Sequence, residues 1–290
     1  MRKTPESDYV SDLLRALERA DLSTRMAVLD ELNSVNAEQF AGQFVAALSS
    51  SSPVVREVAC KKLKDSKYPL AVPPLIGVLR NDPVSSVRKS AAVALGKFQS
   101  SEAVDALIRA AQNDSAVEVR RFGALSLGEL KPSQAVVPLA KRLEGPEQDP
   151  SVREAVLEAL AEIKDPAAIT LIIGYFNRTS DPAALASMGI IGGDQAGNFL
   201  TSRLRASDRP QDKIRIAASL LQFEDSRYDQ FLIDQARTNT DAVVRAAIYK
   251  AARAAQLPQK RLDPFARAAV TSVKEDPSIE VRKAAEDLVR

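Results

Sequence analysis

DPVSSVRKSAAVALGKF, residues 82–98, and DSAVEVRRFGALSLGEL, residues 114–130, are two versions of one sentence. Each opens on Asp, carries Val-Arg after a short spacer, runs through small residues and closes on Leu-Gly. Val87-Arg88 leads to Leu95-Gly96, and Val119-Arg120 leads to Leu127-Gly128. Arg88 and Arg120 stand 32 residues apart. Self-similarity at such a period marks a repeat array, in which each unit is a small supersecondary element that stacks on its neighbours.

Working outward, an Arg recurs near each multiple of the period: Arg25, Arg56, Arg88, Arg120, Arg153, Arg215, Arg245 and Arg282, at steps of 31, 32, 32, 33, 62, 30 and 37. The step of 62 spans two units, the sixth of which has Leu185 in place of Arg. The step of 37 holds an insertion, QLPQKRLDP, after Ala255. Nine units result. Within each, apolar residues at helical spacing, such as Ala103, Val104, Leu107, Ile108 and Ala111, predict a first helix. A second helix is predicted to start at an Asp or Ser cap with Pro just inside, as at Ser52-Pro53, Asp82-Pro83, Asp149-Pro150, Asp181-Pro182 and Asp276-Pro277. The expected pairs are 7–20/22–35, 37–49/52–64, 70–81/83–98, 101–113/115–130, 132–144/150–164, 166–178/182–192, 194–206/210–223, 226–238/241–254 and 263–275/277–290. Stacked pairs bury a continuous layer of Leu, Val, Ile and Ala. Polar residues cap the ends: Arg2, Lys3, Glu6, Asp8 and Asp12 at one, Arg282, Lys283, Glu286, Asp287 and Arg290 at the other.

The unit D-P-x-x-x-V-R-x-x-A-A-x-A-L-G resembles the HEAT-like repeat, in the short form found in phycobilin lyases and many bacterial proteins. The likeness is closest at 82–98 and 114–130, clear at 149–163, 241–254 and 276–290, and weak in the first two units. It implies an all-α, right-handed α-solenoid (superhelix) of about nine two-helix repeats. The chain 1–290 is expected to be a single repeat domain, with capping repeats 1–65, regular repeats 66–164, a degenerate Gly-rich repeat 165–193 and C-terminal repeats 194–290. That fold serves many partners, so function must come from individual residues.

Composition narrows the chemistry. Basic and acidic residues number 40 and 38, a net charge of +2, which argues against a dedicated nucleic-acid binder. With no His and Cys60 as the one cysteine, His-dependent triads, multi-cysteine metal sites and internal disulfides are excluded. MRKTPESDYV lacks the apolar core of a signal peptide, and no stretch approaches about 18 apolar residues, so a soluble cytoplasmic protein is expected.

Four features are candidates for function. The arginine column could hold phosphates, but a ladder between units is the stronger reading, joining Arg56, Arg88, Arg120, Arg153, Arg245 and Arg282 to Asp82, Asp114, Asp149, Asp241 and Asp276. The second helices line the concave side in this repeat type, and positions one, five and nine after the Arg are expected to face outward. They are Glu57 and Lys61; Lys89, Val93 and Lys97; Arg121, Leu125 and Glu129; Glu154, Glu158 and Glu162; Ile216, Leu220 and Glu224; Ala246 and Lys250. Val93, Leu125, Ile216 and Leu220 among charges suit a protein or peptide partner of mixed charge. The three glutamates at i, i+4, i+8 would favour a basic partner segment over a metal. In the sixth unit Gly189, Gly192, Gly193 and Gly197 mark either a joint or close approach, or tight helix packing. Cys60 is expected to be buried and inert.

The leading expectation is a non-enzymatic scaffold or adaptor for another protein, with Lys89, Arg121 and Glu158 setting register. No cofactor, nucleic acid, membrane or small-molecule ligand is expected. The resemblance implies an alternative, a lyase-like or chaperone-like protein acting on tetrapyrrole-bearing proteins.

Overall fold

A computed structural model describes residues 5–19, 21–145, 149–207, 209–223 and 226–289. Arg2, Lys3, Glu224 and Arg290, named above, lie outside these residues, and the side chain of Glu6 is likewise not described. Among the described residues every regular element is helical, and the chain forms two compact units, Met1–Ala159 and Leu160–Arg290. No described helix is long and apolar enough to cross a membrane.

The first unit contains α1 (Pro5–Arg19), α2 (Leu22–Ser34), α3 (Ala41–Ala47), α4 (Pro53–Asp65), α5 (Val72–Asn81), α6 (Ser85–Leu95), α7 (Ser101–Asn113), α8 (Val117–Leu130) and α9 (Val136–Glu144), and most of α10 (Pro150–Ile163). The second contains α11 (Ala168–Thr179), α12 (Pro182–Ile191), α13 (Gly193–Ala206), α14 (Pro210–Leu221), α15 (Asp229–Thr238), α16 (Ala242–Ala254), α17 (Gln259–Glu275) and α18 (Ile279–Val289). Short 3-10 turns, Pro69–Ala71 and Ser133–Ala135, lead into α5 and α9. The predicted nine helix pairs are all present.

The boundaries depart from the pattern in several places, three kinds of which have a visible cause. α3 starts at Ala41 rather than 37, because the Asn36 side chain accepts the Glu38 and Gln39 amides at 3.0 Å and holds a turn there. Asp82, Asp114 and Asp276 are not N-caps of the helices that follow. Each ends the preceding helix and accepts the amide two residues on: Val84 at 2.9 Å, Ala116 at 2.8 Å, Ser278 at 2.9 Å. Pro does open α4, α10, α12 and α14, where a missing amide costs nothing. Finally, most of the insertion after Ala255 is helix. α17 begins at Gln259 and carries Pro264 within it. Arg261 holds this extension in place with two bonds to Asp229, 2.7 and 2.6 Å, and two more to the carbonyls of Phe223 and Leu221 at the end of α14.

The two layers of each unit pack unequally. Second helices lie close together in the series α4, α6, α8 and again in α12, α14, α16, α18, whereas first helices touch more lightly. Small residues allow this: Ala91, Ala92, Ala94, Gly123, Ala124 and Ser126 in the first unit, Ala246, Ala247, Ala251 and Ala252 in the second are all buried. Fully buried Leu63, Leu75, Leu95, Leu107, Leu127 and Leu139 fill the space between layers in the first unit, and Tyr175, Tyr249 and Phe265 do so in the second. Each such side chain contributes about 2 kcal/mol of hydrophobic burial.

The glycines of the sixth repeat fall into two groups. A Cβ on Gly189 would lie 2.3 Å from the Ser219 carbonyl oxygen of α14, and one on Gly197 would overlap the Tyr228 hydroxyl, so both are sites of tight packing. Gly192 and Gly193 make the α12–α13 turn with φ of +75° and +85°, a region that side-chain-bearing residues rarely adopt.

Candidate functional site

The arginine column forms the frame on which the surface is mounted. Arg56 grips Asp82 through Nε–Oδ2 at 2.6 Å and Nη2–Oδ1 at 3.0 Å; Arg88 grips Asp114 at 2.9 and 2.8 Å; Arg245 grips Asp276 at 2.8 and 2.9 Å. The remaining nitrogen, Nη1, donates to the carbonyl six residues back, which caps the first helix of the same repeat. This bond is 2.9 Å to Ser50 from Arg56, 2.8 Å to Asp82 from Arg88, 2.9 Å to Asp114 from Arg120 and 2.6 Å to Asp276 from Arg282. Asp149 accepts the Ser151 amide and hydroxyl at 2.9 and 2.6 Å, and its carbonyl accepts the Arg153 amide.

In the seventh repeat the column is filled by Lys213, not Arg215. Lys213 is buried and donates to Asp241, while the side chain of Arg215 is 51% exposed. This two-residue shift corrects the expected surface. Counted from Lys213, Ile216 and Leu220 occupy the positions of Ala91 and Leu95, and they are core residues, 1% and 0% exposed. Neither can touch a partner. Ala246 is also buried.

Bonding to the column lowers the affinity of its carboxylates for protons. Burial pushes Asp82 and Asp114 up, but the arginine hydrogen bonds, the Val84 and Ala116 amides and the nearby guanidinium charges outweigh it and hold both below the ordinary carboxylate value. Asp241 and Asp276 are held down chiefly by Lys213 and Arg245. A depressed folded value means stability that is complete above the unfolded value of about 3.9 and is lost as pH falls through the folded one. Thermal melts followed by circular dichroism are therefore expected to be flat from pH 7 to about pH 4.5 and to decline below it. A decline already complete at pH 5 would contradict this assignment.

On the first unit, the residues one, five and nine places after each arginine reach solvent. Lys89, Val93 and Leu125 are half-buried, while Lys61, Lys97, Arg121, Glu129, Glu154 and Glu158 are exposed. Between α2, α4 and α6 they border an open cleft of about 400 Å³ lined by Asn33, Lys61, Lys62, Lys64, Asp65, Lys89, Ser90 and Val93. Lys62 is fixed at its floor, donating to the Val35 and Asn33 carbonyls at 2.7 and 3.2 Å, and burial lowers its pKa. Lys89 lies 5.7 Å from the centre of the Phe122 ring and Arg121 lies 5.2 Å from it, so α6 and α8 share one cationic and aromatic patch beside Val93 and Leu125. Some of these charges are partly answered: Lys61 meets Glu57 at 2.8 Å, Lys89 meets Glu118 at 3.5 Å and Lys97 meets Glu129 at 2.7 Å. All three pairs are exposed at one partner or both, where such contacts are weak.

Phe122, Lys62 and Lys64 were not among the residues expected here. The run Lys61-Lys62-Leu63-Lys64 was a visible signal; Phe122, next to Arg121, was not, because nothing in the period assigns that place to a surface contact. Glu154, Glu158 and Glu162 are exposed, and no group of acidic or sulfur side chains among the described residues is arranged to hold a metal ion. Cys60 is fully buried, and burial pushes its thiol up to about 12.

Stacked helix pairs joined by a repeating Arg–Asp rung define an α-helical repeat protein. Its residues 41–121 and 106–189 match the family of HEAT repeats, and the chain belongs to that family. No curated protein sequence matches it. Similar solved structures include the complex of CpcE and CpcF of phycocyanin lyase from Nostoc sp. PCC7120, at 21% identity over 86% of this chain and 93% of that one, with a TM-score of 0.46. YibA of E. coli is 17% identical over 100% and 98%, TM-score 0.45, and human deoxyhypusine hydroxylase in complex with glycerol is 18% identical over 98% and 96%, TM-score 0.38. At such scores the likeness carries no functional argument.

Proposed function

We propose that the chain is a non-enzymatic scaffold whose first unit binds an extended segment of a partner protein across the exposed edges of α4, α6, α8 and α10. The observation that carries this reading is the cleft of about 400 Å³ in which Lys61, Lys62, Lys64 and Lys89 surround Val93, continued on α8 by Arg121, Phe122 and Leu125. Four lysines against one Asp65 favour an acidic segment there, and half-buried Val93 and Leu125 offer apolar contacts to anchor it. Further along, Glu154 and Glu158 present the opposite sign, so the same segment is read as acidic toward α4–α8 and basic toward α10. Complementary charge of this kind sets register and partner choice more than total affinity, and apolar anchors supply most of the energy.

The test uses three variants of the full chain. Leu125→Asp and Lys89→Glu alter the patch, and Val137→Asp alters exposed surface on α9. All three are expected to keep the circular dichroism spectrum of the original. Recovery of the partner from native extract, followed by binding of the purified pair, is expected to fall at least about tenfold for the first two and to be unchanged for the third, the loss typical of a central contact. Binding by the original chain should also weaken between 50 and 500 mM salt, in line with a Debye length that shrinks from over ten to a few ångströms. Equal binding by Leu125→Asp and the original would remove this face from consideration.

A further inference from the structure

The column of rungs is interrupted once within the second unit, and the interruption removes both partners. On α12 the place of the arginine is taken by Leu185, which is buried at 1% exposure. At the end of α13 the place of Asp82, Asp114 and Asp276 is taken by Ser207. Like those aspartates, Ser207 ends its helix, stands six residues before the column cation (here Lys213) and accepts the amide two residues on, that of Arg209 at 3.3 Å. An acceptor hydroxyl therefore stands where the repeats of Asp82, Asp114 and Asp276 hold a carboxylate; in the eighth repeat Asn239 takes this place and Asp241, two residues on, supplies the rung carboxylate.

Around this gap lies a cleft of about 270 Å³ whose lining includes Phe176, Pro182, Leu185, Arg203, Ser207, Arg209 and Asp212. Arg203 stands where Val78, Ala110 and Ser272 lie one helical turn before Asp82, Asp114 and Asp276, and its guanidinium lies 5.3 Å from the centre of the Phe176 ring. Among the described residues neither Arg203 nor Arg209 has a carboxylate partner. Asp212 is directed to Arg215 at 3.9 Å. The gap has thus lost the rung carboxylate and gained two guanidinium groups, with Asp212 as the acid in its lining and Phe176, Pro182 and Leu185 as its apolar part.

From this we infer that the cleft is a carboxylate-binding site, in which a ligand's carboxylate takes the place of the absent rung aspartate between Arg203 and Arg209 and an adjoining apolar group rests on Leu185 and Phe176. The other rungs are the reason for choosing a carboxylate: at this point of the repeat they bind one through two parallel bonds to a guanidinium, the geometry that suits arginine best. The ligand is a segment of a partner protein bearing a carboxylate next to an aliphatic side chain, either its C-terminus or an internal acidic residue. Nothing here depends on the patch of the first unit.

Two peptides separate the sources: one ending in a free C-terminal leucine, and one with internal Leu-Asp and an amidated end. Each is titrated into the ¹⁵N-labelled full chain while the Nε–Hε signals of Arg203 and Arg209 are followed, against a control peptide with neither carboxylate. Saturable shifts of both signals with one or both carboxylate peptides, and at least about tenfold weaker response to the control, are expected. Ser207→Asp, which supplies the missing carboxylate from the chain itself, is expected to raise the melting temperature and abolish the shifts. Arg203→Gln is expected to abolish them with the circular dichroism spectrum unchanged. Equal shifts with the control, shifts that survive in Ser207→Asp, or no shift with either carboxylate peptide would overturn the assignment.

Discussion

Replacing Arg88 with alanine is expected to destabilise the chain by about 3 kcal/mol, the range for removing one partner of a buried pair. The side chains of Arg88 and Asp114 are 11% and 10% exposed, so water does little to compensate either. Losing the guanidinium leaves the Asp114 carboxylate with the Ala116 amide as its main remaining donor and strips the Asp82 carbonyl of its cap at 2.8 Å. Urea unfolding at pH 7 measures the loss. The same experiment near pH 4 carries a further signature. Without Arg88 the Asp114 carboxyl is no longer held down, protonates more readily, and the difference from the original chain should narrow. Exchanging both partners for apolar residues, Arg88→Met with Asp114→Leu, should recover most of the stability, because the cost lies in the orphaned charge rather than in the absent pair. A loss below about 0.5 kcal/mol for Arg88→Ala, the level of a surface pair, would mean that the rungs are ornamental.

Gly189→Ala is expected to cost about 2 kcal/mol, although alanine is the better helix former by nearly 1 kcal/mol. The added Cβ would sit 2.3 Å from the carbonyl oxygen of Ser219 and 2.9 Å from Oε1 of Gln222. Gln222 can swing aside; a backbone carbonyl in α14 cannot, so α12 and α14 must part. Gly77→Ala in α5 provides the comparison, because a Cβ there meets nothing within 4 Å. It should stabilise by up to about 1 kcal/mol through helix propensity alone. Thermal melts of the two variants should therefore move in opposite directions. If both rise, α12 and α14 are not in contact at Gly189.

The contrast between these two glycines shows where sequence was informative. The 32-residue echo between 82–98 and 114–130 was enough to predict helix pairs, since period and hydrophobic spacing are local properties. Tight packing at Gly189 was not readable, because it depends on which residue of α14 faces it. The exposed positions were legible on the first unit, where Arg56, Arg88 and Arg120 occupy the column and counting forward from them lands on Lys89, Val93, Arg121 and Leu125. The count failed at Arg215. That residue satisfies the spacing, yet Lys213 makes the buried contact, and an error of two residues on a helix turns outward-facing positions into Ile216 and Leu220 of the core. Spacing could not have corrected it, because Asp241 stands 26 residues after Arg215, the separation of Arg56 from Asp82 and of Arg88 from Asp114, and yet bonds Lys213. The insertion before α17 misled in a different way. The expected helix began at 263, but α17 starts at Gln259, and Arg261 ties the added turn down from 38 to 40 residues away in sequence, beyond any local signal.

Each intact rung has a consequence for how load would pass along the array. Its arginine holds a carbonyl of its own repeat with one hand and an aspartate of the next with the other, so pulling two repeats apart and unwinding the end of a first helix strain the same side chain. Tension would be borne by Arg56 and Arg88 in series within the first unit, and within the second by Arg245 and by Lys213, which has the bond to Asp241 but no carbonyl of its own repeat. At Leu185 and Ser207 the second unit has no such clasp, and there apolar packing resists with the help of exposed Thr170–Gln195 hydrogen bonds and Arg203 over the Phe176 ring. That gap is the seam at which the second unit would tear.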